Sequence, residues 1–447
     1  MSTGLLFETV DHFPDLLDLH AHNPQRYPCL LESVAHGTSQ ARYDILFAFP
    51  GERITLDTLE PGSDFLAQLD QSWQQHTRQG LKDTHLPFRG GWFVYLGYEL
   101  AGQIEPSLQL PTTATHLPVA FALRIPAAVI RDHATGRCWL VSEADHAHLD
   151  NMRADIAAVM QQAPAVSAPV ALQLDEEAAP RYLKAVERIK RYIVDGDVFQ
   201  VNLSREWSGK QEHHDDIALY DSLRRNNPAP FAGLVRLDDF AIISSSPERL
   251  VCVRGQHVET RPIAGTRPRG AARDSDDANS RELLAHPKER AEHIMLIDLE
   301  RNDLGRVCQP GSIDVNELMV LESYAHVHHI VSNVRGELRD GISPGDVIRA
   351  VFPGGTITGC PKVRCMEIIA ELEQAPRGAY TGSMGYLNHD GDMDLNILIR
   401  TITREASTIK LRAGAGIVAD SVAERELDET RAKARGMLLA LHDRGEE

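Results

Sequence analysis

The fold is decided by one stretch near the end of the chain, Leu411-Arg-Ala-Gly-Ala-Gly-Ile-Val-Ala-Asp-Ser-Val-Ala-Glu-Arg-Glu-Leu-Asp-Glu-Thr-Arg-Ala-Lys433. Its sequence predicts a strand that contains two glycines, followed by a helix. Ser421 and Glu424 have the spacing of a capping box, so we expect the helix to begin at this serine. A short turn would then join the strand to the helix.

Charged residues on this predicted helix could bind a metal ion and a substrate. Glu426, Glu429 and Lys433 stand three and four residues apart and therefore share one face. Gly414 and Gly416 let the preceding strand approach a ligand closely and offer it backbone N–H groups. Two carboxylates and an ammonium group beside such donors can hold a divalent cation together with an anionic substrate. Ordinary surface helices carry similar charges, so this stretch alone leaves both interpretations open.

The composition is that of a large globular protein. The chain has 447 residues, 43% of them hydrophobic, and a net charge of −18. The length is enough for a large core, and the negative charge argues against nucleic acid as a partner. The six cysteines are scattered without zinc or redox spacing, as expected for reduced thiols. We see neither a signal-peptide pattern nor an apolar run that could span a membrane, so we expect a cytoplasmic protein.

Strand-like and helical segments are mixed along the chain without a regular alternation of strand and helix. This pattern favours an α+β sheet architecture over a barrel. We predict single strands over 240–253 and 395–403. The composition divides the chain into an N-terminal region, 1–165, a linker rich in Ala, Pro, Gln and Glu, 166–180, and a second region, 181–442.

The second region contains a set of short motifs that occur together and in a fixed order. In chain order they are Asp197-Val-Phe-Gln-Val-Asn-Leu-Ser-Arg205, Ser246-Pro-Glu248, Arg261-Pro-Ile-Ala-Gly-Thr266, Glu292-His-Ile-Met-Leu-Ile-Asp-Leu-Glu-Arg-Asn-Asp303, His329-Ile-Val-Ser332, Gly354-Gly-Thr-Ile-Thr-Gly-Cys-Pro-Lys362, Arg377-Gly-Ala-Tyr380, Ile399-Arg-Thr401 and Gly414-Ala-Gly-Ile-Val-Ala-Asp-Ser421. This set resembles the chorismate-utilising enzymes, which include anthranilate synthase component I, aminodeoxychorismate synthase component I, isochorismate synthase and salicylate synthase. The resemblance implies a large two-lobed core of mixed or antiparallel β-sheet with helices packed outside it.

The resemblance also implies a role for each matching residue. Chorismate must lose a 4-hydroxyl group, and because hydroxide is a poor leaving group, a carboxylic acid has to protonate it. Glu248 matches that acid. Glu292 and Glu429, with Glu426 close by, would hold Mg²⁺ on the ring carboxylate of the substrate. His329 would either line the substrate ring or be structural, and both roles stay open.

Further matching residues would bind the substrate. Arg400 and Lys433 would pair with the two carboxylates of chorismate, Arg in a bidentate manner and Lys as a point charge. Tyr380 would hydrogen-bond one of those carboxylates. Thr356, from the glycine- and threonine-rich motif, belongs to the same set.

The residues at two positions, 200 and 264, distinguish the reactions that members of the family catalyse. Water-using members have a lysine as general base where this chain has Gln200, and an amide cannot take a proton from water, so the nucleophile is expected to be ammonia. Ala264 is typical of anthranilate synthases, whereas aminodeoxychorismate synthases often have a lysine there. The stretches 353–359, 382–386 and 395–400 resemble aminodeoxychorismate synthases more closely. We therefore favour component I of that enzyme, which makes 4-amino-4-deoxychorismate for 4-aminobenzoate and folate synthesis, with anthranilate synthase component I as the alternative.

The ammonia would come from a partner. The chain has no Gly-x-Cys-x-Gly motif, so a separate glutamine amidotransferase subunit is implied. Leu31, Glu32 and Ser33 match the tryptophan pocket of the aminating members, which could be regulatory, structural or empty. A non-catalytic subunit that binds tryptophan is an alternative of another class, and the intact set of acidic and basic site residues argues against it.

Overall fold

The structure is a computed structural model. It describes residues 4–35, 41–60, 62–77, 85–112, 116–143, 145–162, 171–211, 215–268, 281–283, 285–323 and 327–442. The first residues of the predicted linker, 166–170, lie outside these ranges. Every helix within the ranges is too short or too polar to cross a lipid bilayer.

Two large antiparallel β-sheets form the centre of the molecule. Their strands are, in chain order, β1 (Leu6–Val10), β2 (Cys29–Glu32), β3 (Tyr43–Ala48), β4 (Arg53–Leu56), β5 (Gly91–Leu96), β6 (Ala120–Ile125), β7 (Ala127–Asp132), β8 (Arg137–Ser142), β9 (Asp175–Glu176), β10 (Gln200–Lys210), β11 (Phe231–Leu237), β12 (Phe240–Ser246), β13 (Arg249–Arg254), β14 (His257–Thr260), β15 (Ile263–Pro268), β16 (Asp314–Ser323), β17 (Val327–Glu337), β18 (Gly359–Cys360), β19 (Ser383–Asn388), β20 (Met393–Asn396), β21 (Thr401–Glu405) and β22 (Thr408–Ile417).

The first sheet has the order β1-β8-β7-β3-β2-β11-β12-β21-β22-β10-β18, with β9 also paired to β10. The second has the order β15-β17-β14-β13-β20-β19-β5-β6-β4, with β16 also paired to β17. Strands from both sides of the predicted linker are neighbours in each sheet, such as β2 with β11 and β5 with β19. Each sheet is therefore continuous across the two predicted regions, and the domain boundaries stay a prediction.

Helices cover the outer faces of the sheets. They are α1 (Leu16–His22), α2 (Phe65–His76), α3 (Ala101–Ile104), α4 (His146–Met160), α5 (Ala179–Val194), α6 (Asp216–Asn226), α7 (Pro287–Gly305), α8 (Pro344–Val351), α9 (Lys362–Glu373) and α10 (Ala423–Ala440). Between the sheets lies a separate apolar core, in which the ring of Phe47 on β3 packs edge-on against Phe93 on β5, with centroids 5.3 Å apart. The predicted α+β architecture, with two antiparallel lobes and outer helices, is confirmed.

The predicted single strands over 240–253 and 395–403 are each broken in two, because the chain passes from one sheet to the other. β12 lies in the first sheet and β13 in the second, and the break falls at Pro247, which has no N–H to donate to a ladder. The second break lies between β20 and β21, where Arg400 has a left-handed backbone with φ of 52°. A hydrogen bond links the two crossings, because the Ile397 N–H donates to the Glu248 carbonyl at 3.0 Å.

The helix of the opening stretch, α10, begins at Ala423, two residues after the predicted start. The predicted capping box is wrong, because Val422 is the N-cap and no side chain caps the helix. The Ser421 hydroxyl oxygen accepts instead from the Val418 N–H at 3.1 Å. Ser421 therefore closes the turn between β22 and α10.

A buried carboxylate, Glu373 at the end of α9, ties several elements together. One of its oxygens accepts from the Ser204 N–H on β10 at 2.8 Å and from Arg377 Nη2 at 2.6 Å. The other accepts from Arg377 Nε and from Arg412 Nη2 on β22, both at 3.0 Å. Burial raises the pKa of Glu373, but the two guanidinium groups outweigh burial and lower the pKa overall. This carboxylate thus stays ionised inside the protein.

We predict that Glu373→Ala lowers the free energy of unfolding by about 3–5 kcal/mol, because two buried guanidinium groups lose their shared partner. The matched control is Glu371→Ala on the same helix, whose half-exposed carboxylate pairs with the Tyr192 hydroxyl, and which we expect to cost about 1 kcal/mol or less. Urea unfolding of both variants gives the two values. Equal losses for the two variants would show that Glu373 does not tie the elements together.

Candidate active site

A cavity of about 670 Å³ lies where the two sheets meet α7 and α10. It brings together every residue that the sequence assigned to catalysis, substrate or metal. Those thirteen residues are Glu248, Gln200, Ala264, His329, Arg400, Tyr380, Gly414, Gly416, Lys433, Thr356, Glu292, Glu429 and Glu426. They come from both sheets and both helices, so residues that are far apart in the sequence become neighbours only in the folded chain.

Glu248 follows the first sheet crossing and is 5% exposed. Burial raises its pKa to about 7, against the weaker opposing effects of a hydrogen bond from Thr356 and the charges of Lys433 and Arg400. The Thr356 hydroxyl donates to Glu248 Oε1 at 2.7 Å and so fixes the carboxyl group. A carboxyl group with a pKa near 7 can hold a proton at neutral pH and give it to a leaving group.

Two cations face the same cavity. Arg400 lies at the second crossing, and its side chain makes one long hydrogen bond within the described chain, from Nη1 to Asn227 Oδ1 at 3.4 Å. Its remaining donors suit an anionic ligand. Lys433 pairs with Glu429 at 2.8 Å and donates to the Gly414 carbonyl at 3.1 Å. The Lys433 and Glu429 side chains are nearly half exposed, which places the mouth of the cavity at α10.

Carboxylates from two helices line one side of the cavity. Glu289 and Glu292 are three residues apart on α7, and Glu426 and Glu429 are three apart on α10. In the described part of the chain, no three acidic, histidine or cysteine side chains converge on one point. Mg²⁺ does not need such a group, because it commonly takes one or two carboxylates and completes its shell with substrate oxygens and water. The donor set therefore fits a Mg²⁺ ion that is shared with an anionic substrate.

Two buried amide oxygens in the cavity lack hydrogen-bond partners among the described residues, Gln200 Oε1 and Asn202 Oδ1. Gln200 donates from Nε2 to Glu292 Oε1 at 3.1 Å, so its oxygen points away from that carboxylate. Buried polar groups without partners are uncommon and indicate a place for a ligand or water. Asn202 was missed from the sequence, although its position two residues after Gln200 on a strand would have placed it on the same face. Glu289 and Arg412 also line the cavity and were missed.

The two glycines of β22 make room for site residues. A Cβ at Gly414 would lie 2.7 Å from the Tyr380 hydroxyl, and one at Gly416 would lie 2.5 Å from Gln200 Nε2. Beyond Leu411, β22 no longer pairs with β21, and its backbone lines the cavity. The predicted contacts of the glycine N–H groups with a ligand stay a prediction.

Ala264 and His329 lie on the β15–β17 side of the cavity. Ala264 is 7% exposed, and its methyl group leaves space where a longer side chain would reach into the cavity. Burial lowers the pKa of His329 to about 4, and the charge of Arg400 adds to this effect. The imidazole is therefore neutral at pH 7 and lines the cavity without adding charge.

Leu31, Glu32 and Ser33 line a different cavity, of about 250 Å³, between β2 and β19. Glu32 is buried, accepts from the Tyr220 hydroxyl at 2.6 Å and pairs with Arg224 at 3.2 Å. Tryptophan as the ligand of this cavity stays a prediction.

Comparisons with known proteins agree with this geometry. Residues 27–439 match the family model of chorismate binding enzymes. Aminodeoxychorismate synthase component 1 of Bacillus subtilis is 43% identical, over 80% of this chain and 78% of its own. Anthranilate synthase component 1 of Pseudomonas aeruginosa is 38% identical, over 98% of this chain and 95% of its own. The crystal structure of anthranilate synthase component I from Streptococcus pneumoniae superposes with a TM-score of 0.78 at 31% identity, covering 90% of this chain and 93% of that one.

Because the pKa of Glu248 is raised, the free energy of unfolding should fall as pH rises. We predict that Glu248→Gln removes this pH dependence. The folded protein retains the proton up to about pH 7, whereas the unfolded chain loses it near pH 4.5, so this contribution is fully present below pH 4.5 and lost as pH rises through 7. The wild type should therefore lose about 2–3 kcal/mol relative to Glu248→Gln between these pH values. Urea unfolding across that range measures the difference, with Glu424→Gln, an exposed acid on α10, as the control. A difference that does not change with pH would show that the Glu248 pKa is ordinary.

Proposed function

The chain belongs to the family of chorismate binding enzymes, and we propose that within it the chain is component I of an aminodeoxychorismate synthase. It would convert chorismate and ammonia to 4-amino-4-deoxychorismate. The observation that carries this proposal is the cavity itself, in which a buried, protonatable Glu248 faces the Arg400 and Lys433 cations and a group of carboxylates. The similarity to the Bacillus subtilis aminodeoxychorismate synthase supports the choice of product.

In this mechanism, Glu248 protonates the leaving 4-hydroxyl of chorismate. The C–O bond breaks as the proton reaches the oxygen, so water leaves in place of hydroxide. Thr356 holds the carboxyl group in place through its 2.7 Å hydrogen bond. Arg400 binds one carboxylate of chorismate by a bidentate contact. Lys433, which pairs with Glu429 in the structure, binds the other carboxylate of chorismate.

Mg²⁺ would be held by Glu292 and Glu429, with Glu426 beside them. When bound, the ion neutralises charge on the ring carboxylate and in the π-system next to it. Glu429 pairs with Lys433 in the structure, so a residue that would hold the ion lies beside one that would bind the substrate. Gln200 holds Glu292 from the other side at 3.1 Å.

Ammonia is the nucleophile that the site supports. Gln200 occupies the position where a base would activate water, and an amide does not accept a proton near neutral pH. Neutral ammonia is nucleophilic without a base. A glutamine amidotransferase subunit would supply the ammonia.

The location of the protein is a separate point. All six cysteines are free, which fits a reducing, cytoplasmic location.

One observation favours the second candidate, anthranilate synthase component I. Ala264 leaves the cavity open beside the substrate ring, so that ammonia could add at C2 directly. The Pseudomonas aeruginosa relative, which is an anthranilate synthase component 1, covers nearly the whole chain. The two candidates differ in the carbon that receives nitrogen and share the rest of the site.

We predict that the main product from chorismate, ammonium and Mg²⁺ is 4-amino-4-deoxychorismate, which chromatography separates from anthranilate. With alanine at 264, ammonia or water must occupy the space beside C2 of the substrate ring. A trace of a C2-substituted intermediate should therefore accompany the main product. Ala264→Lys should suppress this trace, because a tethered amine outcompetes a free one through effective concentration. Anthranilate as the main wild-type product would instead select the second candidate.

Glu248→Gln should lower turnover at least about 100-fold while chorismate still binds, because the variant loses the proton donor and keeps the carboxylate contacts. Steady-state rates and calorimetric binding of chorismate measure the two quantities. Glu424→Gln is the control that removes an exposed acid from α10. A Glu248→Gln variant with more than about a hundredth of the wild-type rate contradicts the general-acid role.

A further inference from the structure

A second buried acid, Glu300, lies close to the proposed catalytic acid. It follows Glu292 and Leu296 on α7 at intervals of four residues, so the three side chains share one face of the helix. Glu292 and Leu296 line the catalytic cavity, whereas Glu300 lies outside the lining and is 6% exposed. The proposed reaction leaves this buried acid without a role.

One short turn contacts both acids. This turn, the 3₁₀ helix Gly355–Ile357, packs against α7, and a Cβ at Gly355 would lie 3.3 Å from Glu300 Oε1. The next residue, Thr356, donates from its hydroxyl to Glu248 Oε1 at 2.7 Å. The two carboxyl groups therefore contact neighbouring residues of the same turn.

The charged groups around Glu300 come from three parts of the fold. Asp303 stands on the same helix and is 5% exposed, and Lys362 at the start of α9 pairs with it at 2.5 Å. Thr260 faces Glu300 from the end of β14 with an uncharged hydroxyl, and Glu248 is near enough for its charge to act on Glu300. Lys362 therefore supplies positive charge on the Glu300 side of the turn.

Two buried carboxyl groups this close ionise one after the other. Burial raises the pKa of Glu300, the charge of Asp303 raises it further, Lys362 opposes both effects, and an ionised Glu248 adds to the increase. Glu248 has the charges of Lys433 and Arg400 on its own side. Because two neighbouring anions repel each other, the pair holds its second proton to higher pH than either acid would alone. In the singly ionised pair, the negative charge is shared between the two acids.

We propose that Glu300 is a positioning residue for the proton of the catalytic acid: it carries the negative charge of the pair, beside Lys362, and so leaves the proton on Glu248. The inference rests on the proposed function, because Glu248 must be the acid of that reaction. It holds for either aminated product, since both products require the loss of the 4-hydroxyl group.

The proton is accounted for at each stage. As the 4-hydroxyl leaves, the O–H bond of Glu248 breaks and an O–H bond forms on the departing water molecule. Glu248 then takes a proton from water in the open cavity, and the negative charge of Glu300 favours this uptake because it repels a second anion. No other reactant takes part.

The test removes the charge of Glu300 and keeps the shape of its side chain. Glu300→Gln does so, and the matched control is Asp298→Asn on the same helix, where an exposed carboxylate pairs with exposed Arg301 at 2.9 Å. Maximal turnover of chorismate with Mg²⁺ and a fixed concentration of ammonium chloride is measured from pH 6 to pH 8.5, beside urea unfolding of each variant. The ratio of variant to wild-type rate at each pH cancels the change in the fraction of neutral ammonia.

At pH 6, Glu300→Gln should turn over chorismate within about twofold of the wild type, because Glu248 is protonated in both proteins. At pH 8.5, the ratio should be at least about threefold lower than at pH 6, because the only acid left to ionise in the pair is Glu248. KM for chorismate should not change. Glu300→Asp retains the charge and should restore much of the rate at pH 8.5, and Asp298→Asn should give the same ratio at every pH.

A ratio that stays constant with pH in folded Glu300→Gln overturns the inference and leaves the proposed function standing. An equal loss of rate at every pH also overturns it, since it shows a merely structural role. Glu300→Met removes the same charge at a similar volume and serves if the amide variant does not fold. A wild type that releases no aminated product overturns the proposed function and this inference together.

Discussion

The contact on which the site most depends is the buried pairing of Glu373 with Arg377 and Arg412. It links α9 to β10 and β22, the strands that carry Gln200 and the two glycines. Arg377 also donates to the Ile357 carbonyl at 3.1 Å, next to Thr356, whose hydroxyl donates to Glu248. Breaking a buried pair of this kind leaves an uncompensated charge. The pairing therefore fixes the positions of α9, β10 and β22 relative to one another.

The position of the site follows from the two places where the chain changes sheets. Ladder hydrogen bonds end at a crossing, so backbone and side chains there are free to face a ligand. Glu248 stands at one crossing and Arg400 at the other, and the crossings hydrogen-bond each other between Ile397 and Glu248. Burial between the sheets keeps Glu248 protonated near neutral pH, while the Arg400 charge limits that effect. One location thus brings together a protonatable carboxyl group and a guanidinium group.

The sequence predicted the fold class, and all thirteen residues that it assigned to the site line one cavity, because the motifs that carry them are short and lie on strands, at sheet crossings and on two helices that meet there. It did not predict the breaks within 240–253 and 395–403, since an apolar run has the same pattern whether it stays in one sheet or changes sheets. Pro247 was the available signal. The capping box failed because Ser421 bonds backward to the strand turn. Arg412 was missed because its role arises from contacts with residues distant in sequence.

The measurement that tests the central claim most directly is a crystal structure of the Glu248→Gln variant with chorismate and Mg²⁺. This variant should retain the substrate, because the carboxylate contacts are intact. We expect the ring in the cavity between the sheets, the 4-hydroxyl within hydrogen-bonding distance of residue 248, one carboxylate on Arg400 and the metal ion between the other carboxylate and the Glu292 and Glu429 side chains. Chorismate bound elsewhere, or turned so that its 4-hydroxyl faces away from residue 248, would contradict the assignment of Glu248 as the acid.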